Sequence, residues 1–156
     1  MILFLDFDGV LHPDAAYLYG KTPRLDADGE LFMWANLLVD ALTDQSDVRI
    51  VLSTSWVRLL SFSRARDYLP PVLRARVIGG TWHSAADRWE WEQMTRHQQI
   101  RRYVNRNSVS HWLALDDDNE KWGDADRDRL ILCDPNVGLS DPATQVDLRE
   151  KLKAMT

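Results

Sequence analysis

Asp6 and Asp8 stand two residues apart, directly after the apolar run Ile2-Leu3-Phe4-Leu5, and Gly9 follows them. On an extended chain, residues two apart start on the same face, so both carboxylates can lean over the end of one strand. Gly9 then lets the chain turn away with no side chain in the way. A second acidic group, Asp116-Asp117-Asp118, closes the run Trp112-Leu113-Ala114-Leu115, and Ser53-Thr54-Ser55 close Val48 to Leu52. Carboxylates gathered this closely repel one another unless a cation sits among them. Mg2+ meets that demand, since it takes oxygen ligands and needs only one or two carboxylates. The expected ligands are Asp6, one of Asp116 or Asp117, and Asp8 through its backbone carbonyl. A calcium loop of the EF-hand type fits poorly: the third early ligand is missing, and the twelfth position counted from Asp6 is Tyr17, not Glu.

The elements that must position these groups are legible in outline. The runs at Ile2 to Leu5, Val48 to Leu52, Trp112 to Leu115 and Leu130 to Cys133 are continuously apolar or nearly so, as in strands buried on both faces of a parallel sheet. Between them, Leu31, Trp34, Ala35, Leu38, Ala41 and Leu42 follow the stripe of a helix lying on a sheet. Thr95 with Gln98 three residues on predicts a capping box opening a helix that carries Ile100, Tyr103 and Val104. A last helix is expected from Asp141-Pro142 toward Met155. Strands alternating with helices imply a single α/β domain over residues 1–156, a Rossmann-like parallel sheet with helices on both faces. In such a sheet ligands bind at the carboxyl ends of the strands, where every acid and hydroxyl cluster named above falls.

Composition narrows the field. With 45% apolar and 28% charged residues among 156, the chain is expected to fold as one compact body. The single cysteine, Cys133, rules out an internal disulfide and a multi-cysteine zinc site. With no apolar run of membrane-spanning length, the expectation is a cytoplasmic protein without membrane association. A formal net charge of -5 argues against a protein that coats nucleic acid. The cluster Arg96, Arg101, Arg102 and Arg106 reads as a solvated helix face. The segment Gly79 to Met94, with Trp82, Trp89 and Trp91, reads as a loop whose tryptophans either border a ligand or pin the loop down. His12 is expected to bond the turn after the first strand, Trp56 to pack in the core, and Asp134 to shape a turn. His83, His97 and His111 lack metal-ligand spacing.

Together these segments resemble a known family. Asp6-Phe7-Asp8-Gly9-Val10-Leu11-His12 resembles the first motif of the haloacid dehalogenase (HAD) superfamily, Leu52-Ser53-Thr54-Ser55-Trp56 its second, and Leu115-Asp116-Asp117 its fourth. The third, a Lys or Arg at a helix start, is matched by Arg96, with Arg101 as rival. The wording is closest to the HAD domains of bacterial RNA-repair proteins. The resemblance implies a small Mg2+-dependent phosphatase with no large cap. Asp6 would attack phosphorus and form an aspartyl-phosphate, and Asp8 would serve as acid and then base. Ser53, or its neighbour Thr54, would hold a phosphoryl oxygen, Arg96 would offset its charge, and Gly9 and Thr54 would border the substrate. Asp6, Asp8, Asp116 and Asp117 would form the metal site. The implied partner is a phosphorylated substrate, with a nucleotide or nucleic-acid end as the favoured form. An accessory module in RNA repair or nucleotide metabolism, with weak catalysis, is the main alternative. A mutase fits less well, because it ordinarily needs a cap to shield its intermediate from water.

Overall fold

In the computed structural model, which describes residues 1–83 and 88–155, the chain opens with β1 (Ile2–Leu5) and a β-hairpin, β2 (Ala16–Tyr19) and β3 (Thr22–Leu25). There follow α1 (Ala35–Ala41), β4 (Arg49–Leu52), the short helices α2 (Trp56–Leu60), α3 (Phe62–Asp67) and α4 (Pro71–Arg74), and β5 (Val77–Gly80). The second half holds α5 (Arg88–Gln93), α6 (Arg96–Arg106), β6 (Trp112–Asp116), β7 (Leu130–Leu132) and α7 (Pro142–Met155).

Strands β5, β4, β1, β6 and β7 lie in that order in one sheet, and each neighbouring pair is parallel. Chain order reverses on either side of β1, which places the ligand crevice beyond its carboxyl end. This is the Rossmann-like α/β architecture. Alternation along β1 shows how both faces are covered. Leu3 and Leu5 join a core with Leu38 of α1 and Leu148 and Leu152 of α7, while Phe4 joins Ile100 and Val104 of α6 on the other face. Each fully buried side chain of this kind contributes roughly 1.5–3 kcal/mol.

Three features differ from the sequence reading. Gly79 and Gly80 do not begin a loop; they end β5, where a Cβ on Gly80 would come within 3.4 Å of the Leu52 carbonyl oxygen. Arg88–Gln93 of the same segment is helical, while residues 84–87 of that expected loop lie outside the described residues. The stretch after the first motif carries the β2–β3 hairpin, joined by Gly20-Lys21 with Gly20 at φ 69°. Glycine at the first position of a two-residue hairpin turn takes this conformation without strain. No folded cap is inserted among the described residues. Nor, among them, is any helix long and apolar enough to cross a membrane.

Candidate active site

Sheet register sets the site. Leu5 is level with Leu52 on one side and Leu115 on the other, so Asp6, Ser53 and Asp116 stand abreast at three adjacent strand ends. The ladder runs one residue further: the Asp6 amide donates to the Leu115 carbonyl at 3.1 Å and the Ser53 amide to the Leu5 carbonyl at 2.9 Å. The Phe7 amide donates to Asp6 Oδ1 at 2.8 Å, which fixes the rotation of that carboxylate. Gly9 has φ 71°, and a Cβ there would collide with the Asp117 carboxylate. Its glycine therefore serves both the turn and the close approach of the second acidic strand end.

Asp6, Asp116 and Asp117 each offer an oxygen within 4.8 Å of the others. Burial pushes the carboxyls of Asp6 and Asp116 up from their ordinary range, and Arg96 offsets this in part. Asp117 is pushed up to about 7, by burial first and then by Asp6 and Asp14. Three crowded carboxylates with all-oxygen donors fit a hard divalent cation, which would supply the missing positive charge. Asp8, expected to serve the ion through its backbone carbonyl, has its side-chain carboxylate held by two neighbours. His12 Nε2 lies 2.9 Å from Asp8 Oδ1, and Trp56 Nε1 donates to Asp8 Oδ2 at 2.9 Å.

Arg96 is placed by the cap of α6. The Gln98 amide donates to Thr95 Oγ1 at 3.3 Å, and the Thr95 amide donates to Gln98 Oε1 at 2.9 Å, so the expected capping box is complete. As the first residue of the helix, Arg96 reaches back to the strand ends. Its Nη2 lies 3.4 Å from Asp6 Oδ2 and its Nε 3.5 Å from Asp116 Oδ2. Burial works against the charge of this guanidinium, but the surrounding carboxylates outweigh it and hold the group protonated. The rival Arg101 points away and pairs with Asp126 at 3.6 Å, and Arg102 pairs with Glu90 at 3.4 Å, so the arginine cluster is dispersed.

The two hydroxyls differ. Thr54 stands beside Asp6 and favours its charged form, and its hydroxyl accepts the Trp56 amide at 3.3 Å, whereas Ser53 Oγ is buried with no hydrogen-bond partner among the described residues. Trp82 and Trp91 meet edge to face at 5.6 Å and border a cleft with Thr54 and Arg96. Trp91 is buried there, while Trp89, 74% exposed, does not line that cleft. His97 pairs with Asp126 at 2.9 Å, and Asp134 accepts the Asn136 amide at 2.8 Å in a turn, as expected. His12 bonds the turn after β1 and Trp56 packs in the core, as expected, and both do more. Both belong to an aromatic cluster with Phe32, and both hold Asp8.

No curated protein and no solved structure matches the chain. A family model described as the HAD domain in Swiss Army Knife RNA repair proteins matches residues 2–144, and the chain belongs to that family.

Proposed function

We propose that the protein is a Mg2+-dependent phosphatase that hydrolyses a phosphomonoester through an aspartyl-phosphate on Asp6. The observation that carries the reading is the division of labour among the acids. Asp6 converges with Asp116, Asp117 and Arg96, while Asp8, two residues on, is kept apart by two donors of its own. One group is arranged for charge and attack, the other for proton transfer.

In the first step an Asp6 oxygen bonds to phosphorus, the bond from phosphorus to the ester oxygen breaks, and Asp8 gives its proton to that oxygen. In the second, Asp8 takes a proton from water as the water oxygen attacks phosphorus, which frees inorganic phosphate and restores Asp6. The partnerless Ser53 hydroxyl is available to donate to a phosphoryl oxygen, and Thr54 and Arg96 orient Asp6. Asp6, Asp116 and Asp117 would hold Mg2+, which when bound neutralises the charge of the phosphoryl group. The RNA-repair setting of the family supports a terminal phosphate of a nucleotide or RNA as the substrate. The open strand ends, with no cap inserted among the described residues, admit such an end. Hydrolysis of an aryl phosphate that requires Mg2+ and disappears in Asp6→Asn tests the reading. Retention of more than about a hundredth of the rate would overturn it, since loss of a covalent nucleophile costs far more.

A further inference from the structure

Two clefts border the neighbours of Asp6, one at Arg96 and the other at Asp8. One is bordered by Arg96, Thr54 and the Trp82 and Trp91 pair, and Glu92, Asp118 and Glu120 make it polar. The other, of about 250 Å³, opens between the β2–β3 hairpin and α2, and its walls include Asp8, Tyr17, Leu18, Pro23, Leu59 and Leu60. Leu18 and Pro23 are cross-strand partners, so their side chains share one face of the hairpin. Leu18 is 39% exposed and Leu59 is 48% exposed, which leaves apolar side chains facing water beside a carboxylate. A two-stranded hairpin is marginal by itself, and exposed apolar walls on both sides of a cleft call for an occupant.

We propose that this second cleft receives the leaving group and selects an alcohol that carries a flat apolar ring. The inference rests on the reading of Asp8 as the acid. The oxygen that Asp8 protonates is the atom through which the rest of the leaving alcohol is attached, so what hangs on that oxygen is directed to the Asp8 side. The site offers a ring apolar walls from Leu18, Pro23, Leu59 and Leu60. Ring recognition then falls to the hairpin. In the opposite cleft Trp91 is buried against Trp82, which leaves Trp82 alone of that pair partly exposed. An aryl group and a nucleobase share the required chemistry.

The test compares kcat/KM in Mg2+ for 2-phenylethyl phosphate against ethyl phosphate, whose alcohols are of similar acidity, and for adenosine 5′-monophosphate against ribose 5-phosphate. A preference for the ring-bearing ester above about fivefold in at least one pair is expected, the scale on which apolar pockets discriminate. Leu18→Asp on the hairpin and Leu59→Asp on α2 should each bring that ratio down toward one. The pair that shows the preference names the source of the ring. Hydrolysis of all four esters with both ratios below about fivefold, or a preference that both variants leave intact, overturns this inference alone and makes the cleft a docking face for another protein. Hydrolysis of none overturns the phosphatase reading, and this inference with it.

Discussion

His12 is a donor to Asp8, and the backbone settles it. The Phe32 amide, which can only donate, points at His12 Nδ1 at 3.2 Å, so in the neutral ring the proton sits on Nε2, 2.9 Å from Asp8 Oδ1. His12 is fully buried, and with Trp56 Nε1 on the other oxygen it fixes the plane of the Asp8 carboxylate.

His12→Phe keeps an aromatic ring of similar size but removes this bond. We expect kcat to fall about 10- to 100-fold with KM changed less than about threefold, because a misoriented acid affects the transition state more than substrate binding. A kcat within about twofold of wild type would show that His12 does not orient Asp8.

Ser53→Ala separates stability from function. The hydroxyl is buried without a partner, so its removal should leave the melting temperature unchanged or raised, since an unsatisfied buried polar group costs about 1–3 kcal/mol. The same change should lower kcat/KM on the order of 10²-fold if the hydroxyl donates to the phosphoryl group. A drop in stability with kcat/KM unchanged would mean that Ser53 serves the fold alone.

How much of this was legible depended on the type of signal. The strands at Ile2, Val48 and Trp112 showed as apolar runs because both faces are largely buried, and they ended in acids or hydroxyls because the site lies there; the fourth run leaves Leu132 exposed, and the Asp134 after it shapes a turn. β5 was missed: Val77-Ile78-Gly79-Gly80 is an edge strand in which two of four positions are glycine, and its Ile78 is exposed. The hairpin carried a readable signal in Tyr17-Leu18-Tyr19 before Gly20, but Pro23 inside β3 obscured the strand pattern. Arg96 over Arg101 could be guessed from the capping box, since only the first residue of the helix can reach back to the strand ends. The role of Trp56 had no local signal, and for His12 only the Asp8 contact, four residues away, was local. Trp56 meets Asp8 across 48 residues and His12 meets the Phe32 amide across 20, so those contacts exist only once the chain is folded.

Arg96 and Arg101 sit on one helix and should behave differently. Arg96→Gln leaves Asp6 and Asp116 buried without their cation, and in chelator it should cost about 3–5 kcal/mol of stability. Arg101→Gln removes only a partly exposed pair with Asp126 and should cost about 0–1 kcal/mol. Denaturant unfolding of both variants checks the contrast, and equal losses would mean that Arg96 does not carry the charge balance of the site.

The last prediction concerns Asp117, pushed up to about 7 from an ordinary value of 3.8 by burial, Asp6 and Asp14. Its folded value lies above its unfolded one. Between about 4 and about 7, therefore, the folded protein without a divalent ion binds a proton that the unfolded chain has lost. The contribution of Asp117 to stability is fully present below that window and is lost as pH rises through it. Asp117→Asn removes the titration, since the amide is neutral throughout. In chelator the variant should therefore melt above wild type at pH 8, and the gap should shrink as pH falls toward 5. Millimolar Mg2+ should reverse the order at pH 8, because an ion that binds the folded state stabilises it, and wild type offers the ion one more carboxylate. Thermal unfolding at the two pH values, with and without Mg2+, makes the comparison. A wild type more stable than Asp117→Asn in chelator at pH 8 would show that Asp117 is not crowded by its neighbours. A variant that keeps its advantage in Mg2+ would remove Asp117 from the metal site.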